Sequence, residues 1–125
     1  MGTLSYIAGK LFSSGKEVAL TEDIGDDIES GSGNGGYWTK FPDGTMIQYG
    51  TKLTAVNGGA GILFPLQFIN TSYSITGNLV TDYYTTLASI NFAVRQLTYI
   101  NTYAINKDNE QVAITISWQA IGRWK

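Results

Sequence analysis

Thr81-Asp82-Tyr83-Tyr84-Thr85 sets two adjacent phenols beside a carboxylate, a combination suited to holding a sugar. Aromatic faces pack on the apolar faces of pyranose rings, and a carboxylate accepts hydrogen bonds from two hydroxyls at once. Tyrosine suits such contacts because it brings a large area at small entropic cost. Successive side chains of an extended backbone point in opposite directions, so Tyr83 and Tyr84 cannot both enter a core. Asn101 and Asn109 follow in later loops. With Asp82, Tyr83 and Tyr84 they complete a candidate glycan-binding set. Each of Tyr83, Tyr84, Tyr99 and Tyr103 serves either a ligand or contacts between subunits, where aromatics are enriched.

Catalysis finds few candidates. The chain has neither histidine nor cysteine, which removes the commonest general base, the commonest metal ligand and the thiolate nucleophile. A glycosidase needs two carboxylates across one bond, about 5–9 Å apart. Residues 36–125 offer only Asp43, Asp82, Asp108 and Glu110, and three of these belong to turns. Gly31–Gly36 satisfies GxGxxG, yet it follows an acidic stretch and precedes a β pattern, so no helix aims N–H groups at a pyrophosphate. Ser13-Ser14-Gly15-Lys16 fits SxxK without the partner motifs of serine acylases. Asp23, Asp26, Asp27 and Glu29 could gather oxygen ligands around calcium, but they lack the alternating spacing of a calcium loop, and a solvated linker accounts for them. The reading is a binding module with no catalytic residue, no cofactor and no metal.

The elements that would position the tyrosines are strands. One domain is the prior for 125 residues. Low charge and abundant Gly and Tyr suit a β-rich module. The organising strand is Val112–Ile121, where Val112, Ile114, Ile116, Trp118 and Ala120 share one face and Ala113, Thr115, Ser117 and Gln119 the other. Before it, Tyr37–Phe41 and Thr45–Leu53 are joined by the turn Pro42-Asp43-Gly44. Ile62–Phe68 reads as an edge strand or bulge because of Pro65. Alternation recurs over 73–79 and 89–95, where Ile90, Phe92 and Val94 share a face, and again near 102–106. Asn57–Gly61 and Lys107–Gln111 read as loops. No segment carries a useful helical period. The expected fold is an all-β antiparallel sandwich of about six to seven strands.

Residues 1–35 differ in character. They hold six acids against two lysines, whereas residues 36–125 hold six bases against four acids. The change places a module boundary near residue 35, with 21–36 as a linker, flexible at its Gly/Ser end. The bases form no stripe of the kind nucleic acid requires, and no apolar run reaches the length of a membrane span.

Four segments in order resemble a known family. Gly36-Tyr37-Trp38-Thr39-Lys40-Phe41-Pro42-Asp43-Gly44-Thr45-Met46-Ile47-Gln48-Tyr49-Gly50 resembles the opening of the C-terminal domain of tailed-phage and prophage tail fibres, with its aromatic strand and "PDG" turn. Phe64-Pro65-Leu66-Gln67-Phe68 with Tyr73–Thr76 is similar to that family's "FP…F" segment, and Trp118–Arg123 to its "WxAIG" segment. Leu11–Leu20 and Thr21–Ile24 resemble the shaft sequence that precedes such tips. The FP…F and Trp-x-Ala pair also resembles H-type lectins, small sandwiches that form trimers and bind sugars.

The resemblance implies a homotrimer at the tip of a virion tail fibre, made in the bacterial cytoplasm and joined to the rest of the fibre at its N-terminus. It implies binding to a bacterial surface glycan such as lipopolysaccharide or capsule. Residues 1–35 would then be a shaft fragment, with Leu4, Ile7, Leu11 and Phe12 buried around one axis, and 36–125 the receptor-binding sandwich. It supplies no binding residues, so Asp82, Tyr83, Tyr84, Asn101 and Asn109 rest on their own chemistry. The rivals are a trimerisation cap that touches no receptor and a glycan-degrading tail enzyme.

Overall fold

A computed structural model describes residues 27–83 and 85–125. Leu4, Ile7, Leu11, Phe12, Asp23, Asp26 and Tyr84 lie outside them. Among the described residues nine strands follow one another: β1 (Glu29–Gly33), β2 (Gly36–Lys40), β3 (Thr45–Leu53), β4 (Ala60–Leu63), β5 (Ser74–Leu79), β6 (Ala88–Ala93), β7 (Tyr99–Asn106), β8 (Gln111–Val112) and β9 (Thr115–Arg123). They form two antiparallel sheets. One is five-stranded, in the order β1-β2-β3-β9-β5. The other is four-stranded, with β4 and β6 flanking β7 and β8 pairing further along β7.

The core lies between the sheets. β3 sends in Met46 and Gln48, β9 sends in Ile116, Trp118 and Ala120, and β7 sends in Ile100, Thr102 and Ala104. Ile62, Phe64, Phe68 and Tyr73 close it, with Phe64 edge-on to both Phe68 and Tyr73. Each such large side chain contributes about 1.5–3 kcal/mol by leaving water. Gly122 makes the packing possible: a Cβ there would lie 2.8 Å from the Phe68 ring and 2.8 Å from Tyr73 Cβ.

Four local features depart from the sequence reading, each for a physical reason. The Gly/Ser end of the expected linker is β1, a hairpin partner of β2, because Asn34 and Gly35 take φ of 51° and 79° and reverse the chain. The last strand does not run unbroken from Val112. Val112 belongs to β8 in the four-stranded sheet, and the chain crosses to the other sheet before β9. Thr54 holds that crossing: its hydroxyl lies 2.7 Å from the Val112 carbonyl oxygen and accepts from the Ile114 N–H at 2.9 Å. β4 stops at Leu63, ahead of Pro65, and 64–68 is irregular. Val94 takes φ of 57° just beyond β6 and is exposed, so it leaves the face of Ile90 and Phe92.

The Pro42-Asp43-Gly44 turn forms as expected. Gly44 has φ of 100°, the Gly44 N–H donates to the Phe41 carbonyl at 3.0 Å, and the Thr45 N–H donates to Asp43 Oδ1 at 2.8 Å. The chain's last residues clasp this turn. Arg123 Nη2 donates to the Asp43 carbonyl at 2.6 Å, and Trp124 Nε1 to the Phe41 carbonyl at 2.8 Å.

Candidate functional site

Register assigns the loops to two ends. β1 begins where Glu29 faces Lys40 and Met46 faces Gly122, so the described chain enters beside the Pro42-Asp43-Gly44 turn and Arg123–Lys125. β3, β5 and β7 all run away from that end. At the far end lie residues 54–58, the loop from β5 to β6 and the turn after β7. They are tied together: the Val80 N–H donates to the Thr115 carbonyl at 2.9 Å, and Gln111 Nε2 donates to the Ala55 carbonyl at 3.0 Å.

Asp82 and Tyr83 occupy this far end. Their loop closes on itself, with Thr81 and Thr86 hydroxyls 3.3 Å apart and the Tyr83 N–H donating to Thr81 Oγ1 at 3.3 Å. It presents Tyr83 at 73% exposure. Tyr84, the other half of the pair, lies outside the described residues. Asn109 is in the neighbouring turn, where its φ of 64° answers a backbone need. Asn106 Oδ1 organises that turn by accepting from the N–H groups of Asp108 and Glu110 at 2.9 and 3.0 Å.

Asn101 does not join them. It is not in a loop but within β7, opposite Gly61 and Ala93, and a Cβ on Gly59 would meet its side chain at 3.0 Å. From Asn101 to the end of β7 is five residues, about 17 Å at the usual strand rise. Asp82, Tyr83 and Asn109 therefore fall in two adjoining far-end loops, and Asn101 falls on the broad outer face of the four-stranded sheet.

A second concavity lies where sequence reading named nothing. Alternation turns Tyr37, Tyr49, Gln119 and Thr76 outward from the five-stranded sheet, and register sets them side by side: Tyr37 opposite Tyr49, Tyr49 opposite Gln119, Gln119 opposite Thr76. The next outward row is Thr51, Ser117 and Asn78. The Tyr37 and Tyr49 rings stack with centroids 5.4 Å apart and planes 28° from parallel. They stand 54% and 49% exposed. Together the two rows shape a cleft of about 510 Å³. Gly35, Gly50 and Trp118 complete its lining. Only the tyrosines carried a sequence signal, and it pointed to two separate strands.

Among the described residues, two groups have displaced acidities. The Thr45 N–H bonded to the Asp43 carboxylate holds its pKa below the ordinary 3.8, with Arg123 and Lys125 adding to the effect. Burial pushes the Tyr73 phenol above 10.0, against the pull of Arg95. Both are structural. Tyr73 donates to the Gln96 carbonyl at 2.7 Å, and the Arg95 guanidinium lies over the Tyr73 ring at 4.7 Å.

Comparison with known proteins identifies the architecture. The family model for the C-terminal domain of gp53-like tail fiber proteins matches residues 40–123. Among solved structures, the C-terminal part of the R2 pyocin fiber of P. aeruginosa is similar, with a TM-score of 0.63 at 20% identity over 87% of this chain and 30% of that one. An N-truncated R2-type pyocin tail fiber gives 0.63 at 20% identity over 86% and 43%. An N-truncated R1-type fiber gives 0.57 at 15% identity over 86% and 97%. The chain thus spans less than half the length of the two R2 fragments. No curated protein matches it. The matched span runs from the end of β2 to the end of β9 and contains the turn, the FPLQF segment and the Trp118–Arg123 strand, and on that ground the chain belongs to the gp53-like tail fiber family, of which it carries the C-terminal domain.

Proposed function

We propose that this domain is the attachment end of a tail fibre and binds a bacterial surface glycan during host recognition. The observation that carries the reading is the gathering of exposed loops at the end opposite the point where Asp27–Glu29 enters. A fibre that joins the domain through residues 1–35 holds the entry end, and the far end then meets the cell. Asp82 and Tyr83 are the contacts there, Tyr83 stacking on a ring and Asp82 accepting from its hydroxyls, with Asn109 in the adjoining turn and Tyr84 as the second aromatic.

The working form is a homotrimer with parallel chains. Support comes from the outer face of the four-stranded sheet, where Tyr99, Asn101, Tyr103 and Ile105 alternate along β7 and Ser89, Asn91 and Ala93 follow on β6. That face carries no ionised side chain, as suits contact with another copy rather than open solvent. Binding without catalysis is the reading favoured, since the Asp43 carboxylate is engaged by its own turn and Asp108 lies 3.2 Å from Lys107 Nζ.

The test is adsorption of the purified chain to a panel of bacterial strains, before and after periodate oxidation of the surface. Retention on a subset of strains, lost after oxidation, is expected. Retention on none, or retention that survives oxidation, defeats the glycan reading. Light scattering that gives a monomer mass at about micromolar concentration defeats the trimer.

A further inference from the structure

We infer that the cleft on the outer face of the five-stranded sheet is a second glycan subsite, selective for uncharged sugar rings. The inference rests on the attachment reading above and adds to it a separate place and a chemical class. Its volume, about 510 Å³, falls within the range of small-ligand sites, about 300–1,000 Å³.

The lining divides into a wall and a floor. The wall is the Tyr37–Tyr49 pair, whose half-exposed rings give an apolar surface to the C–H face of a pyranose. The floor is polar. Thr76, Asn78 and Gln119 are exposed on adjacent strands, and each offers a donor and an acceptor, as sugar hydroxyls require. Strands hold these side chains, so the site is set by register and loses little entropy on binding.

Charge supplies the selectivity. No residue lining the cleft is ionised at neutral pH. In the described residues the charges lie elsewhere: Asp27, Glu29, Lys40, Asp43, Arg123 and Lys125 at the entry end, Asp82, Lys107, Asp108 and Glu110 at the far end, and Arg95 over the Tyr73 ring, while Lys52, next to Thr51, alternates to the opposite face of β3 beside Ile116. A uronate or phosphorylated sugar entering the cleft would shed water from its anion and meet no cation in exchange, an unfavourable transfer. A neutral hexose meets no such penalty. Binding here is therefore insensitive to salt, because no ion pair is available for salt to screen.

The experiment uses the full chain, with mannan and dextran as neutral probes and alginate and polygalacturonate as acidic ones, beside intact cells of an adsorbing strain. Retention on a neutral polymer and not on the acidic ones is expected, changing less than about twofold between about 50 and 500 mM salt. Tyr49→Ala should weaken it about tenfold or more, the loss typical of an anchoring aromatic, and Asn78→Ala by a smaller factor, with the oligomer mass unchanged in both. Preference for the acidic polymers overturns the proposal. Cell adsorption that persists undiminished in Tyr49→Ala and Gln119→Ala overturns it while leaving the attachment reading intact. Dissociation of the oligomer by Tyr49→Ala also overturns it, identifying the face as a contact between copies. Failure of the parent chain to adsorb to any cell or polymer removes the attachment reading itself, and the subsite with it.

Discussion

Gln48 is a core amide whose removal should loosen one end of the sandwich. It is fully buried on β3, opposite Trp38 of β2 and Ala120 of β9. Its Nε2 donates to the Leu66 carbonyl at 2.9 Å, and its Oε1 accepts from the Leu66 N–H at 2.8 Å. One side chain thus replaces the strand that Pro65 prevents, tying the FPLQF segment to the five-stranded sheet. Gln48→Leu keeps the approximate volume but leaves a peptide N–H and a C=O of Leu66 without partners. Each unsatisfied group costs about 1–3 kcal/mol when buried. Leu66 is only half-buried, so water recovers part of this, and the expected loss is about 2–4 kcal/mol for the two.

Gln48→Glu separates the hydrogen bonds from the packing. An ionised Glu can accept from the Leu66 N–H but repels the Leu66 carbonyl, whereas a protonated Glu serves both. Burial raises the folded-state pKa of such a carboxyl above its unfolded value of about 4.3. The native state then holds a proton that the unfolded state has released. The variant is therefore most stable below the unfolded pKa and loses stability as pH rises through the folded one. Urea unfolding followed by Trp fluorescence, at one protein concentration because association shifts apparent stability, measures both effects. A Gln48→Leu midpoint equal to that of the parent, or a Gln48→Glu variant whose stability relative to parent is flat from about pH 4 to 8, refutes the argument.

Three further outcomes follow from the same packing. Gly122→Ala drives a methyl group against Phe68 and Tyr73 at 2.8 Å and should cost about 1–3 kcal/mol in thermal or urea melts. Tyr73→Phe loses the bond to the Gln96 carbonyl, about 0.5–1.5 kcal/mol at neutral pH. The parent's Tyr73 pKa is raised, so its share of stability is full below the unfolded phenol value and lost as pH rises through the folded one, and the variant should show a blunter alkaline limb. Asp43 has the opposite sign. Its lowered pKa gives stability present above the unfolded value and lost as pH falls through the folded one. Asp43→Asn, whose amide oxygen still accepts from the Thr45 N–H, should melt like the parent at neutral pH and with a flatter acid limb below about pH 4.

What could be read in the sequence was whatever a single strand or turn encodes by itself. Pro42-Asp43-Gly44 announces its turn, whereas the faces of Thr45–Leu53 mislead: the apolar Ile47, Tyr49 and Leu53 share one face, yet Met46 and Gln48 of the other are buried and Tyr49 and Leu53 are exposed. The organising strand was legible over Ile116, Trp118 and Ala120 but not at Val112, because two successive strands can show one continuous alternation even when the chain changes sheets between them. β1 was hidden for the opposite reason. Asn34-Gly35 is a strong hairpin signal, yet Ser30-Gly31-Ser32-Gly33 has no apolar face, and such a run reads as linker until a partner is known. What fills the inner side there is not its own side chain but the Trp38 ring, which would lie 2.7 Å from a Cβ on Gly31.

The same logic governs the sites. Tyr83 drew notice because two adjacent tyrosines are conspicuous in any backbone, and their adjacency alone forbids both from entering a core. The Tyr37–Tyr49 cleft draws on β2, β3, β9 and β5, strands that lie up to eighty residues apart in the chain and become neighbours only through register. A one-residue slip in β9 would turn Gln119 and Ser117 inward and set Trp118 in the cleft. What fixes that register is the core, where Ile116, Trp118 and Ala120 are buried to 4% or less. The outward face is thus a consequence of the inward one. Variants that change only Tyr37, Tyr49, Asn78 or Gln119 leave the buried set untouched, so this face can be altered without disturbing the residues that hold the sandwich together.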